Sequence, residues 1–379
     1  MRFLESMVGK SSGYSMPARK EQLQSPENIL IIRLSAIGDV VMASGLLPSL
    51  RALYPNAKIS WLTEPATASL LKGHPLLDQI IVWDKQAWKK RWKNGEKLGV
   101  LNDVLALRKQ LKHAKFDLVL DAQGLLKSGI WAWMTGAKRR IGLGSKEGSQ
   151  HLMTEVTPRD DSAIISSEYR GLVKYLGADD DFVAQHYHMA LDQFADEDPL
   201  AKFKAEKLPS ENTASLDEYI VLCPYTTRPQ KHWFDHHWIK LAELLESKYQ
   251  LPCLVLGGPP DKAQADKLVA QMPNAFNLAG ETSLMASNQV ISKAKMLVGV
   301  DTGITHMGIM HNVPTVTIFG STCPYSEAPN TKVLYLNKSC SPCRRRPTCG
   351  GKFDCLLEIT PEMVVQALEQ LQQPMQQPD

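Results

Sequence analysis

Short apolar, β-branched runs alternate along this chain with longer amphipathic stretches, and each run closes on a polar or glycine-containing turn. In the first half the pattern predicts strands at Ile29–Leu34, Lys58–Leu62, Gln79–Trp83 and Leu118–Asp121, and helices at Gly38–Leu53 and Leu101–His113. In the second half it predicts strands at Tyr219–Cys223, Cys253–Leu256, Met296–Val300 and Thr315–Phe319. Helices there are expected at Trp238–Lys248 and Asp261–Gln271, and a shorter one starts at Asp301-Thr302-Gly303 and ends before Pro314. Near-continuous apolar strands are the mark of parallel sheets buried on both faces. Strand–helix alternation in both halves therefore predicts an α/β protein with two doubly wound parallel sheets. In that architecture ligands bind in the crevice outside the carboxyl ends of the strands.

The 379 residues are enough for two domains. Residues 1–27 read as a flexible polar extension, 28–195 as the first domain and 218–379 as the second. Between them, a segment rich in Asp, Glu, Lys and Pro holds a linker at 196–217.

Composition narrows the possibilities. With 44% apolar and 22% charged residues the chain has the make-up of an ordinary globular protein. A formal charge of +3 is too small to argue for a nucleic-acid partner. No apolar run is long enough to span a bilayer, and the N-terminal stretch lacks the apolar core of a secretory signal. A cytoplasmic location is expected, with the seven cysteines reduced or metal-bound.

Candidate chemistry gathers at the strand ends. After Ile29–Leu34, the segment Ser35-Ala36-Ile37-Gly38-Asp39 puts a carboxylate near a helix start. Asp39 there either caps the helix or takes a proton from a substrate hydroxyl. After Leu118–Asp121, Gln123 and Lys127 either line a substrate site or belong to one more capped turn. The loop Thr226-Thr227-Arg228-Pro229-Gln230-Lys231-His232-Trp233 offers two hydroxyls, an Arg and a Lys, which suit a diphosphate. Asp261, after Gly257-Gly258, either holds ribose hydroxyls or caps its turn. The amides of Thr302 and Gly303 and the Thr302 hydroxyl form an anion-binding helix start, with Asp301 shaping the turn and His306 one helical turn on. A basic stretch with tryptophans, including Lys89, Lys90, Arg91 and Lys93, faces either anionic ligands and membrane or simply solvent. Cys340, Cys343, Cys349 and Cys355 form a tetrahedral zinc site, a reduced thiol cluster or labile disulfides. The interleaved Arg344–Arg346 run serves phosphate binding or is solvated. Neither half carries the GxGxxG fingerprint, which disfavours a nicotinamide dehydrogenase.

The motifs SAIGDV, DAQGLLKSG, TTRPQKHW and VGVDTGITHMG resemble those of the family 9 glycosyltransferases, the lipopolysaccharide heptosyltransferases. The resemblance covers roughly residues 28–370. In order and spacing it is nearest to members that add the first heptose, with a cysteine cluster like that of members that add the second. It implies a GT-B fold, two Rossmann-like domains facing across a cleft. It implies inverting transfer of heptose from ADP-heptose to lipid A–Kdo or the inner core, at the inner face of the cytoplasmic membrane, with no cofactor. Asp39 would be the general base and Lys231 would stabilise the diphosphate leaving group. Thr226, Thr227, Asp261, Thr282, Asp301, Thr302, Gly303 and His306 would hold the donor. Ser35, Gly38, Gln123, Lys127 and the basic stretch would hold the acceptor. Runner-up readings are transfer of the second heptose or another core sugar, and a non-catalytic module binding nucleotide or anionic lipid.

Overall fold

The computed structural model describes residues 25–160, 162–191, 198–207, 216–344 and 346–373. The expected N-terminal extension lies outside the described residues as far as residue 24, as do 192–197 and 208–215 of the expected linker region. Six strands make the first sheet: β1 Asn28–Ile32, β2 Lys58–Thr63, β3 Gln79–Val82, β4 Leu118–Asp121, β5 Arg139–Leu143 and β6 Glu155–Thr157. Six more make the second: β7 Ile220–Cys223, β8 Cys253–Val255, β9 Ala275–Asn277, β10 Met296–Val300, β11 Thr315–Ile318 and β12 Thr331–Leu334. Their orders are β3-β2-β1-β4-β5-β6 and β12-β11-β10-β7-β8-β9. Read from its own first strand, each is the doubly wound Rossmann order, and the pairings are parallel. The strand order reverses between β1 and β4 and between β7 and β10, which opens a crevice at those strand ends in both halves.

The apolar runs behave as the pattern requires. Ile29–Ile32 of β1 and Met296–Val300 of β10 are fully buried, each central in its sheet. One face of the first sheet is covered by Lys97–His113 and Leu126–Met134, whose Leu107, Leu111 and Trp131 join β1 and β4 in one cluster. The core on the other face does not stop at the first half. It runs through Val40 and Val41 to Met307 and on to Val221 and Leu254 of the second sheet.

Several elements depart from the expected pattern. The expected helix Gly38–Leu53 is two helices, Ile37–Ala43 and Leu46–Leu53. Pro48 has no N–H to give the Ser44 carbonyl, so the helical ladder breaks at Ser44-Gly45. The ring of Tyr187 packs into the space, where a Cβ on Gly45 would lie 2.4 Å from it. Strands β5, β6, β9 and β12 were not expected. β5 opens on two arginines, β6 and β9 are three residues long, and β12 is an edge strand with an exposed lysine. The basic stretch is a helix, Lys85–Lys93, capped by the Asp84 carboxylate on Ala87 N–H at 2.8 Å. Its Trp88 packs edge-on against Trp83 and Trp131.

His311, at the end of helix Gly303–Met310, donates from Nε2 to the Asn288 Oδ1 at 2.9 Å. Burial pushes its pKa from 6.5 down to about 4. A histidine kept neutral in the fold charges first in the unfolded chain. Its contribution is therefore intact above pH 6.5 and declines as the pH falls towards 4. Between pH 7 and 5, His311→Gln is expected to lose about 2 kcal/mol less stability than the parent chain, read from urea unfolding at each pH.

Candidate active site

The ends of β1, β7, β10 and β11 open into one cleft of about 1140 Å³. From the first half it is lined by residues 36–39, Asp160 and Ser166–Tyr169. The second half supplies Thr226–Arg228, Lys231, Asp301–Gly303, His306, Thr322–Tyr325, Cys343, Arg344 and Arg346. At its floor the two halves meet at bare backbone. A Cβ on Gly303 would lie 2.8 Å from the Gly38 nitrogen, and one on Gly38 would lie 2.7 Å from the His306 ring. Only glycine at both positions lets helices Ile37–Ala43 and Gly303–Met310 approach this closely.

Asp39 is both a cap and a cleft carboxylate. Its Oδ2 accepts from Ala36 N–H at 2.9 Å, back across the first helical turn. The same oxygen pairs with Arg33 Nη2 at 2.5 Å. No hydrogen bond from a described residue engages Oδ1, and the side chain is 35% exposed, on the cleft wall. Arg33 is buried and donates from Nη1 to the Ala122 carbonyl at 2.8 Å. Burial alone would lower its pKa, but the Asp39 carboxylate outweighs burial and keeps the guanidinium charged. The DAQG turn thus has a structural task. Asp121 Oδ1 caps the amides of Gln123 and Gly124, each at 3.1 Å, and the turn holds the Ala122 carbonyl for Arg33.

On the opposite wall Asp301 is almost fully buried and saturated with donors. Lys231 Nζ and Thr322 Oγ1 (2.5 Å) bond its Oδ2, and Tyr325 OH bonds its Oδ1. The His306 ring lies 4.0 Å from Oδ1. Burial would raise the Asp301 pKa, but the Lys231 charge with the hydrogen bonds from Lys231 and Thr322 outweighs it and holds the group below the ordinary carboxylate value. Burial keeps His306 neutral, and burial with the Asp301 charge drives the Tyr325 hydroxyl well above its usual pKa. Thr302 is the N-cap residue of Gly303–Met310, yet its hydroxyl makes no capping bond. That hydroxyl and the first-turn amides of the helix face the cleft, a ready anion site. Trp233 anchors the Lys231 loop, its indole N–H shared between the Leu356 and Ile359 carbonyls at 3.1 and 3.0 Å.

Other candidates lie away from the cleft wall. Gln123 is buried and accepts from Leu34 N–H at 3.1 Å. Lys127 pairs with Glu64 at 3.5 Å, and Arg91 is held by Glu96 and Asp103. Asp261 caps its own turn through Gly258 N–H at 2.8 Å, and Thr282 bonds Ser287 at 2.7 Å. Ser35, Lys89, Lys90 and Lys93 do not line the cleft either. The zinc reading of the cysteines finds no support. Among the described residues no group of three or more His, Cys, Asp or Glu side chains could hold a metal ion. The four thiols stand near enough for Cys340, Cys343 and Cys349 to act electrostatically on Cys355, but their surroundings differ. Cys343 faces the cleft, while Cys355 sits in the apolar core beneath Gly320, its pKa pushed up to about 11 by burial. The backbone amides around Cys349, that of Phe353 first, hold that thiol below its ordinary value instead.

Arg33, Thr322 and Tyr325 escaped sequence reasoning, although each left a signal. Arg33 is the one charge inside the run Ile29–Leu34, and a charge in a buried strand needs a partner. Thr322 and Tyr325 follow β11, another strand end on the same crevice.

The family model for glycosyltransferase family 9 (heptosyltransferase) matches residues 104–353. The lipopolysaccharide heptosyltransferase 1 of Pseudomonas aeruginosa is 27% identical over 371 residues, covering 90% of this chain and 97% of the relative. Among solved structures, a family 9 glycosyl transferase from Veillonella parvula superposes with a TM-score of 0.71 at 21% identity, covering 91% of this chain and 97% of that one. The E. coli heptosyltransferase WaaC with ADP-2-deoxy-2-fluoro heptose superposes at 0.65 with 23% identity, covering 90% and 99%. At such identities the superpositions establish the GT-B fold.

Breaking the buried Lys231–Asp301 pair strands a cation with 12% side-chain exposure. Asp301→Asn is therefore expected to cost roughly 3 kcal/mol, read as a lower urea midpoint at unchanged slope.

Proposed function

Because the chain belongs to glycosyltransferase family 9, the heptosyltransferases, we propose that it moves heptose from ADP-heptose to the Kdo or inner-core region of lipopolysaccharide. Membership in an enzyme family sets aside the non-catalytic module. The observation that carries the reading is the position of Asp39 and Lys231 on opposite walls of one cleft. Inverting transfer needs that division. A base on one face takes the proton of the acceptor hydroxyl as its oxygen bonds the anomeric carbon, and charge gathers on the departing diphosphate at the other face.

In this mechanism Asp39 Oδ1 is the base, because Arg33 and the Ala36 amide already occupy Oδ2. The arginine holds the carboxylate in one orientation. Lys231, the Thr302 hydroxyl and the Gly303 amide receive the diphosphate, with Thr226 and Thr227 beside them on the wall. Lys231 remains tethered to Asp301, so the donor meets a cation held in place. These cationic and amide donors neutralise the leaving group without a metal. His306 packs on Gly38 and brings the donor wall against the base. Asp261 and Thr282 lie farther along the strand ends of the second half, where ribose and base would extend. The chain acts at the inner face of the cytoplasmic membrane, where such acceptors are assembled, and no helix among the described residues is long and apolar enough to cross it. Addition of the second heptose is the alternative, supported by the cysteine spacing.

Asp39→Asn keeps the shape of the side chain and removes the base. Its kcat is expected to fall by about 10²–10⁴-fold, with ADP-heptose affinity within about twofold of the parent by calorimetry. A parental rate in this variant removes Asp39 from the role. Screened against ADP-, GDP- and UDP-sugars with truncated core acceptors, the chain is expected to turn over ADP-heptose. Turnover of a UDP-sugar alone overturns the heptose assignment.

A further inference from the structure

The cations expected to meet the acceptor's acidic groups sat on the basic helix Lys85–Lys93, and that helix does not line the cleft. Besides Lys231, three other cations do: Arg228, Arg344 and Arg346. Arg228 belongs to the Lys231 loop, and the other two come from the loop that carries the cysteines. Among the described residues no carboxylate pairs with any of the three within 4.0 Å. The opposite wall carries Asp39, Asp160 and Glu168. Apart from the buried Asp301–Lys231 pair, charge is thus segregated across the cleft, carboxylates on the first half and unpaired guanidiniums on the second.

The arginine loop is held rigidly. Arg344 N–H donates to the Ser321 carbonyl at 2.6 Å, and the Arg344 carbonyl accepts from Gln230 Nε2 at 2.9 Å. Ser341 Oγ donates to the Gly320 carbonyl next door. Gln230 is buried and immediately precedes Lys231, so the loop is tied both to the end of β11 and to the lysine turn. Arg344 has φ 58°, a left-handed conformation that a side-chain-bearing residue keeps only when its surroundings fix it. Backbone bonds on both sides fix Arg344, and its guanidinium is left free at the cleft. Guanidinium groups match phosphate and carboxylate through paired N–H donors.

We propose that Arg344 and Arg346, with Arg228, form a subsite for an anionic substituent of a substrate, a phosphate or a carboxylate, on the donor-side lip of the cleft. The proposal rests on the transferase reading and adds to it a recognition site outside the Lys231–Thr302 clamp. Two sources present this chemistry, the diphosphate of the donor and the acidic groups of the acceptor.

The test measures dissociation constants separately for ADP and for Kdo-terminated lipid A in detergent, with the full chain as R344Q/R346Q and as R228Q. Both side chains of the double variant are exposed and the pinning bonds at 344 are backbone bonds, so its melting temperature is expected to match the parent. Weakening of about tenfold or more for one ligand, with the other within twofold, supports the subsite and identifies its source. Both constants unchanged in both variants overturn it. So does weakened acceptor binding in K89Q/K90Q/K93Q with none in R344Q/R346Q, which returns the anion to the basic helix. A parent chain that transfers no heptose sinks the proposed reaction, and the binding ratios still read the subsite.

Discussion

Everything on the second wall of the cleft is organised by one buried carboxylate. Asp301 gathers a lysine from one segment and a threonine and a tyrosine from another, and a histidine stands close by. An ionised group so deep in the protein is tolerated only when its oxygens are fully engaged. That requirement fixes the Lys231 turn, the start of helix Gly303–Met310 and the segment after β11 relative to one another. The result is an ordered surface of donors. Lys231 is aimed before any ligand arrives, which removes most of the entropy that a free lysine would lose on binding.

The first wall uses the same device with the signs exchanged. There a buried cation, Arg33, is held by a backbone carbonyl and a carboxylate, and the carboxylate's other oxygen is left open to the cleft. Each wall therefore presents one charged group whose charge is balanced from behind. The shared apolar core through Val40, Val41 and Met307 carries this registration from one sheet to the other.

How much of this could be read from the sequence depended on where the determining contacts lie. Strands such as Met296–Val300 are buried on both faces, so their own residues declare them, and the doubly wound fold follows from their spacing. β5 and β9 were invisible because pairing with a neighbouring strand, not composition, makes them strands. Asp39, Lys231 and Thr302 were legible as polar residues at strand ends. The pairing of Lys231 with Asp301 was not, since it joins turns from different parts of the sequence. Nor was the role of Trp233, the anchor under that loop, since its indole bonds to carbonyls more than a hundred residues on. The cysteines misled for a related reason. Their spacing brings the four thiols near enough to act on one another electrostatically, but one of them is drawn into the apolar core.

The bare contact between Gly38 and Gly303 also bears on how such proteins diversify. Two Rossmann-like halves look like modules that recombination could trade between relatives. Here each half carries a notch cut to the other's backbone, with a margin smaller than a methyl group. A chimera inherits a working cleft only if both parents left that notch empty, so the unit of exchange is the matched pair of helices and not either half.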